Sequence, residues 1–363
     1  MKKASKIITI ILLFIATLTL GVTGTFFVLD KYPSLFKETI TKLEKDVTIT
    51  ENGIADAVDK VYDSVIVVST ISQNQVIGTG SGFIYKTNDK ESYLITNHHV
   101  VDGGSSFKIT YTDGDEVEAT LIGSDEYSDI AVLKVALKEG YKAVEIGNSD
   151  TMRVGDTTFV VGAPLGDVYS WSVTRGILSG KERLVEVSLS NSYQSDYIMN
   201  VLQTDSPVNS GNSGGPISNS NGEVIGVVNA KISSSGVEGI GFAIPIEVAM
   251  EKAEQIINGN KSSYPYLGVS MLNVEDARNY INYRRYITDN NINSGVIVID
   301  IEKDSPASKD GMESGDIITE INGKEVKNVA YLRYELYKYK IGETIKVKVL
   351  RDNEIKELSI KLT

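Results

Sequence analysis

The chain has 363 residues, of which 41% are hydrophobic and 23% are charged, a balance typical of a folded globular protein with room for two domains. Its formal net charge of -12 argues against nucleic acid as a partner, because affinity for phosphate backbones depends on Lys and Arg. The chain contains no cysteine, which excludes disulfides, thiolate zinc sites and a cysteine nucleophile.

The N-terminal residues predict a transmembrane signal-anchor. Residues 1–6 form a basic tail, and residues 7–29 form an uncharged, mostly apolar run. A helix needs about 20 apolar residues to cross a bilayer, which is more than the apolar core of most cleaved signal peptides contains. By the positive-inside rule, the tail is cytoplasmic and everything after Asp30 is extracytoplasmic, at the cell membrane. Cleavage among the small residues 21–25 remains an alternative.

A charged linker, residues 30–53, precedes a series of short β-rich runs, mostly bounded by Gly, Asn, Asp or Ser. The runs are SVIVVST, GSGFIY, YLITN, FKITYT, IAVLKV, TTFVVGA, EVIGVVNA and IGFAIP. They predict an all-β sandwich or barrel over residues 54–259. A helical period over Ile246–Ile257, followed by an Asn-Gly stop, ends this domain.

Residues 263–363 predict a second, small domain, either α+β or a partly open barrel. Its strand-like runs are YLGVSML, GVIVIDI, GDIITEING, TIKVKVLRD and IKELSIKL, and VAYLRYELYKYK has a helical pattern.

The strongest chemical signal is the segment GNSGGP, which begins at Gly211 and contains Ser213. Glycines around a serine allow a tight turn that exposes the hydroxyl and aims backbone N–H groups at a bound carbonyl. The chain has only two histidines, His98 and His99, and an imidazole is the usual base for a serine nucleophile. An ordinary Gly-rich surface loop and a structural histidine are the alternative interpretations.

A third group should orient the imidazole, and Asp129 lies where a polar loop enters the apolar strand IAVLKV. Asp102 and Asp125 are competitors in more polar, turn-like surroundings, where we expect less burial. The order of these residues disfavours an α/β-hydrolase, because no histidine follows the serine. The run 78–82 lacks a dinucleotide-binding pattern and indicates a flexible lead-in to a strand, and the adjacent histidines do not have zinc-site spacing.

The segments TNHHVV, SDIAVLKV, GNSGGP and GIGFAIP together resemble the HtrA (Deg) family of chymotrypsin-like serine proteases. The resemblance implies a mainly β fold, with a double β-barrel followed by a PDZ domain. It selects His99 over His98 as the base, with Asp129 and Ser213 completing the catalytic triad. It also implies an oxyanion hole of Gly211, Asn212 and Ser213. No metal or cofactor is implied.

The resemblance further implies an apolar pocket for the substrate residue before the cut. Its predicted walls are Val208, Ile240, Gly241, Phe242 and Ala243. Because this set contains no acidic residue, we expect cleavage after small or medium aliphatic residues rather than after Lys or Arg.

The later segments resemble a PDZ domain, and the implied peptide-binding residues are Tyr266, Leu267, Gly268 and Val269. Tyr331 and Leu332 are further candidates for its pocket. Only one PDZ domain fits, and the loop before TNHHVV is short, so we expect a homotrimer rather than a large cage.

These features predict ATP-independent endoproteolysis of unfolded or damaged exported proteins. The alternatives are a proteolytically silent binding protein with the same grooves, and a dedicated signalling protease activated by a PDZ ligand. C-terminal peptides are the expected partners of the second domain.

Overall fold

The structure is a computed structural model that describes residues 13–25, 31, 53–163, 169–188, 195–230, 239–260, 264–287 and 292–363. Residues 1–53 and 54–363 form separate compact units. In the first unit, residues 13–25 form helix α1. No helix of the described residues combines the length and apolar character that a membrane crossing requires. The remaining parts of the predicted anchor, 7–12 and 26–29, and most of the predicted linker lie outside the described residues.

Helix α2 spans Gly53–Tyr62, and the second unit contains two closed antiparallel barrels of six strands each. The first barrel consists of β1 (Val65–Ser72), β2 (Gln75–Thr87), β3 (Glu91–Thr96), β4 (Ser106–Thr110), β5 (Glu116–Asp125) and β6 (Ile130–Ala136), with helix α3 (His98–Val101) after β3. The second consists of β7 (Thr157–Gly162), β8 (Ser172–Val187), β9 (Tyr197–Thr204), β10 (Pro216–Asn219), β11 (Val224–Val228) and β12 (Gly241–Pro245), preceded by a 3₁₀ turn at Ser149–Thr151. This architecture confirms the predicted double barrel.

Helix α4 (Ile246–Ile257) follows the second barrel and has the predicted bounds. Its buried residues, Ile246, Ala249, Ala253 and Ile256, recur every three or four positions, which places them on one face. This face joins a hydrophobic cluster that also contains residues of both barrels, such as Phe83 and Phe159. The two barrels are therefore fixed against each other by a shared core.

The C-terminal domain is a six-stranded sheet with short helices. Its strands are β13 (Val269–Asn273), β14 (Val296–Ile301), β15 (Ile317–Ile321), β16 (Lys324–Glu325), β17 (Thr344–Arg351) and β18 (Glu354–Lys361), and its helices are α5 (Val274–Ala277), α6 (Ile281–Arg284), α7 (Pro306–Lys309) and α8 (Val329–Leu336). The strand order β13-β14-β15-β17-β18 leaves β13 at the edge of the sheet. The predicted α+β domain is thus present, with an open strand edge beside α8.

Candidate active site

His99 and Asp129 form a hydrogen-bonded pair in the first barrel. His99 lies in α3, and Asp129 lies immediately before β6. The His99 Nδ1 and Asp129 Oδ2 atoms are 2.7 Å apart, and the His99 backbone N–H donates to Asp129 Oδ1 at 2.9 Å. The Asp129 residue is only 3% exposed. The carboxylate thus favours the tautomer with hydrogen on Nδ1 and leaves Nε2 as the basic nitrogen.

Two buried asparagines hold Asp129 in place. Asp129 has a left-handed backbone conformation, with φ of 54°, which Asp tolerates better than most residues. The Asn97 side chain donates to the Asp129 carbonyl oxygen at 2.9 Å. The Asn229 side chain, which follows β11 in the second barrel, donates to Asp129 Oδ2 at 2.8 Å. Sequence reasoning missed both residues, because an amide at the end of a strand is common and carries no specific signal.

Ser213 lies in the Gly-rich turn before β10, and this turn is packed against the first barrel. Gly214 has a φ of 85°, and a Cβ there would lie 2.2 Å from the Ser81 carbonyl oxygen, so only glycine fits without strain. The Ser81 hydroxyl donates to the Gly211 carbonyl oxygen at 2.7 Å, and the Ser81 backbone N–H donates to the Ser213 carbonyl oxygen at 2.8 Å. Ser81 therefore positions the turn that carries Ser213.

The role of Ser81 corrects the interpretation of residues 78–82 as a flexible lead-in. These residues lie inside β2, with Gly80, Ser81 and Gly82 buried. A Cβ on Gly80 would lie 2.7 Å from a Val100 methyl group and 3.2 Å from the Ser213 carbonyl oxygen. The small residues are thus explained by close packing beneath the serine turn.

The Ser213 hydroxyl oxygen accepts a hydrogen bond from the Ala230 N–H at 3.2 Å, and Ser213 is 6% exposed. The hydrogen bonds among the described residues include none between this hydroxyl and the His99 ring. A hydrogen bond between nucleophile and base often tightens only when substrate is bound. The hydroxyl is therefore held by Ala230, which directly follows the Asn229 that binds Asp129, and the role of Ser213 as the nucleophile stays a prediction.

The predicted oxyanion hole has two available donors. Neither the Gly211 N–H nor the Ser213 N–H donates to another described residue, whereas the Asn212 N–H donates to the Asn209 carbonyl oxygen at 3.0 Å. The Asn212 side chain is buried, and its Oδ1 has no partner among the described residues. The geometry leaves the Gly211 and Ser213 N–H groups free for a ligand oxygen, and their role in catalysis stays a prediction.

The five predicted pocket residues do not share one surface. Val208 packs against the core of the second barrel, which contains Ala243, and a Cβ on Gly241 would lie 2.8 Å from a Val208 methyl group. Phe242 points to the opposite face of β12, towards the cluster shared by the barrels. Ile240 is exposed. Val208 and Gly241 are thus in contact, and the Phe242 side chain lies outside the surface that they share.

Among the competing residues, Asp125 is as buried as Asp129, so the expectation of lower burial was wrong. What separates the two carboxylates is their partners. Asp125 accepts hydrogen bonds from the Ser128 N–H and the Tyr264 hydroxyl, and it is Asp129 that contacts His99. The other histidine, His98, pairs through Nδ1 with the Ser124 hydroxyl at 2.9 Å.

The predicted PDZ residues line a cavity of about 400 Å³ between β13 and α8. Its lining includes Tyr266, Leu267, Gly268 and Val269, together with Arg333, Leu336 and Tyr337 from the α8 side. The prediction for Leu332 was wrong, because that side chain is fully buried in the core of the C-terminal domain, and Tyr331 is not among the lining residues. A one-residue shift along a helix turns a side chain by about 100°, which explains the error.

An aromatic cluster connects this cavity to the loop that carries Asp129. The Tyr337 ring lies 5.2 Å from the Tyr127 ring and 4.4 Å from the Tyr264 ring, measured between centroids. Burial, reinforced by the Asp125 carboxylate, raises the pKa of Tyr264 well above its usual value, so its hydroxyl remains a donor to Asp125. The cavity wall and the catalytic loop are thus in direct contact through side chains.

Arg333 makes a second contact across this junction. Its Nη1 donates to the Asp196 carbonyl oxygen at 2.6 Å and lies 3.6 Å from the Asp196 carboxylate.

Within the described ranges, no group of three or more His, Cys, Asp or Glu residues could hold a metal ion.

Comparison with known proteins identifies the same two domains. Residues 80–227 match the trypsin-like peptidase domain, and residues 265–362 match the PDZ domain.

The chain is 42% identical over 81% of its length to the serine protease Do-like HtrA of Bacillus subtilis, covering 65% of that protein. It is 37% identical over 86% of its length to the serine protease Do-like HtrB of the same organism, covering 71% of it. The match to the first relative thus spans slightly less than two thirds of that protein. A solved structure of the HtrA-type protease AlgW with decapeptide matches with a TM-score of 0.63 and 27% identity, covering 85% of this chain and 98% of that one. The chain therefore belongs to the HtrA family of serine proteases, with a trypsin-like peptidase domain followed by a PDZ domain.

Proposed function

We propose that the chain is a serine endopeptidase of the HtrA quality-control type, which cleaves unfolded or damaged exported proteins without ATP. The observation that carries this proposal is the 2.7 Å contact between His99 Nδ1 and the buried Asp129 carboxylate, in one site with the Gly-rich Ser213 turn. Membership of the HtrA family supports it as well.

In the proposed mechanism, Ser213 Oγ attacks the scissile carbonyl carbon while His99 Nε2 removes the hydroxyl proton. The Gly211 and Ser213 N–H groups stabilise the negative oxygen of the tetrahedral intermediate. His99 then protonates the leaving amine, and water hydrolyses the acyl-enzyme with His99 again as base. Asp129 stays ionised throughout and stabilises the imidazolium.

The contact between Val208 and Gly241 supports a narrow apolar site for the substrate residue before the cut. We therefore retain the preference for small or medium aliphatic residues. Metal or cofactor chemistry has no part in this mechanism.

The PDZ cavity is proposed to bind C-terminal peptides and thereby regulate cleavage. A ligand can activate the enzyme only if it binds the competent state better than the resting state. Tyr337 lines the cavity and contacts Tyr127, which is two residues before Asp129, so occupation of the cavity can bias the catalytic loop. A proteolytically silent binding protein is not favoured, because it would not require the buried His99–Asp129 pair.

The test of this function is to incubate the full chain with a chemically unfolded protein without nucleotide and to map the new termini by mass spectrometry. A fluorophosphonate probe, which reacts only with an activated serine, is added in parallel. We expect internal cleavage after aliphatic residues and labelling of Ser213. Suppressed aggregation with neither cleavage nor labelling, even after hydrophobic C-terminal peptides are added for the PDZ cavity, would instead establish the silent binding protein.

We further propose that residues 7–29 anchor a homotrimer in the cell membrane, with both folded domains on the extracytoplasmic side. The basic tail and the uncharged run support the anchor. The chain should stay in the membrane pellet after alkaline extraction, and its detergent-solubilised form should sediment with three times the mass of one chain. Release into the supernatant would contradict the anchor, and a monomeric mass would contradict the trimer.

A further inference from the structure

Charged side chains line the PDZ cavity, among them Asp300, Glu302 and Arg333. We propose that it prefers C-terminal peptides whose penultimate residue is Lys or Arg, through Asp300 and Glu302. This inference rests on the proposed function, in that it takes the cavity to be a peptide site, and it adds the chemical class of the peptide.

The first step is the anchor for the peptide's carboxylate. The carbonyl oxygens of Leu267 and Gly268 are already occupied, because they accept hydrogen bonds from the N–H groups of Ala307 and Glu302 at 3.0 Å and 2.9 Å. The N–H groups of Leu267 and Gly268 donate to no described residue. Gly268 has a φ of 75°, and a Cβ there would lie 2.3 Å from the Ser305 Cβ atom. This turn therefore offers free donors to a carboxylate at the start of β13.

The second step is the direction of the peptide. Since β13 is an edge strand, an extended peptide can add to it by main-chain hydrogen bonds. A carboxylate held at the start of β13 makes the added strand antiparallel to β13. If the last residue of the peptide lies beside Val269, the penultimate residue lies beside Ser270.

The third step is the face on which each side chain lies. Val269 and Met271 pack against the core of the C-terminal domain, so Ser270 points to the opposite, solvent face, where it is exposed. In the β13–β14 register, Ser270 is paired with Asp300. Side chains directly opposite each other share a face, which places the penultimate side chain, Ser270 and Asp300 in one row.

The fourth step is charge. Asp300 and Glu302 are both exposed and line the cavity, and their carboxylates make no hydrogen bond or ion pair with a described residue. Ser270 is small, so a long basic side chain can pass over it to reach Asp300. The cation Arg333 lines the α8 side of the cavity and is already engaged by Asp196. The solvent face of the site thus has two carboxylates available to a ligand cation.

The experiment uses the full chain with Ser213→Ala, so that the probe is not cleaved. Two fluorescent peptides that end in Lys-Val and Glu-Val, and are otherwise identical, are compared by fluorescence anisotropy. We expect the Lys-Val peptide to bind about 3- to 10-fold more tightly at low salt, and the ratio to shrink as salt rises, since partly exposed ion pairs are modest and screened.

The matched variants are Asp300→Asn combined with Glu302→Gln, which should bring the ratio close to one, and Asp300→Lys, which should invert it. A Lys-Val peptide with an amidated C-terminus should bind weakly to every form, because its carboxylate is missing. If the protein that keeps Asp300 and Glu302 binds the Lys-Val and Glu-Val peptides equally, or binds the Glu-Val peptide more tightly, this inference alone is overturned. Binding of neither peptide would overturn the peptide-binding function of the cavity together with it.

Discussion

The Ser213→Ala variant is expected to lose at least about 10⁴-fold in kcat for cleavage of an unfolded protein, because the nucleophile is removed while the rest of the site stays in place. Fluorophosphonate labelling should disappear as well. The change deletes one hydroxyl that accepts a single bond from the Ala230 N–H, so substrate binding and the thermal unfolding midpoint should change little. The cleavage rate is measured by single-turnover kinetics, substrate binding by the anisotropy of a labelled substrate, and the unfolding midpoint by a melting curve.

Ser210→Ala is the matched control. Ser210 lies in the same loop, three residues earlier, and is exposed, so its substitution should leave cleavage and labelling unchanged. Retention of a tenth or more of the wild-type kcat by Ser213→Ala would exclude Ser213 as the nucleophile. An equal loss in both variants would indicate damage to the loop rather than removal of a reacting atom.

Much of the fold was predictable because most strands of the barrels are buried on both faces and therefore form continuous apolar runs, as in IAVLKV of β6. Four strands, β5, β8, β9 and β10, were not among the predicted runs, although β9 is mostly buried. Strands β5 and β8 were missed for the opposite reason. β5 alternates exposed and half-buried residues over most of its length, and β8 includes the charged segment GKERLVEV. Their apolar content is low, and they are held mainly by pairing with neighbouring strands, which local sequence does not reveal.

In the active site, the reacting residue types were predictable, whereas the groups that position them were not. Histidine is rare in this chain, which has only two, and Ser213 lies in a distinctive Gly-rich segment. Ser81 and Asn229 act across the boundary between the barrels, on partners 130 and 100 positions away in sequence. Only the folded arrangement brings such distant residues together, so no local pattern could identify them.

The Asp129→Asn variant is expected to lose about 10⁴-fold in kcat with little change in KM, because the imidazole would be held in the wrong tautomer. The Asp129 carboxylate accepts three hydrogen bonds, from the His99 N–H, the His99 ring and the Asn229 amide. An asparagine supplies only one oxygen. If that oxygen faces the His99 backbone N–H, the new NH₂ group faces Nδ1 and forces the hydrogen onto Nε2, which can then no longer accept the serine proton.

The tautomer can be measured directly, since the chain contains only two histidines. In protein labelled with ¹⁵N-histidine, the nitrogen shifts of His99 should change from the Nδ1–H form to the Nε2–H form, with His98→Gln providing the assignment. Asp125→Asn is the matched control, because Asp125 is equally buried but bonded to Tyr264, and its substitution should leave the His99 tautomer unchanged. Asn229→Leu removes one of the three donors and keeps the carboxylate, so we expect a smaller loss of about 10-fold in kcat, of the size that one hydrogen bond to a charged group provides. A normal tautomer and near-normal kcat in Asp129→Asn, combined with a large loss in Asp125→Asn, would transfer the orienting role to Asp125.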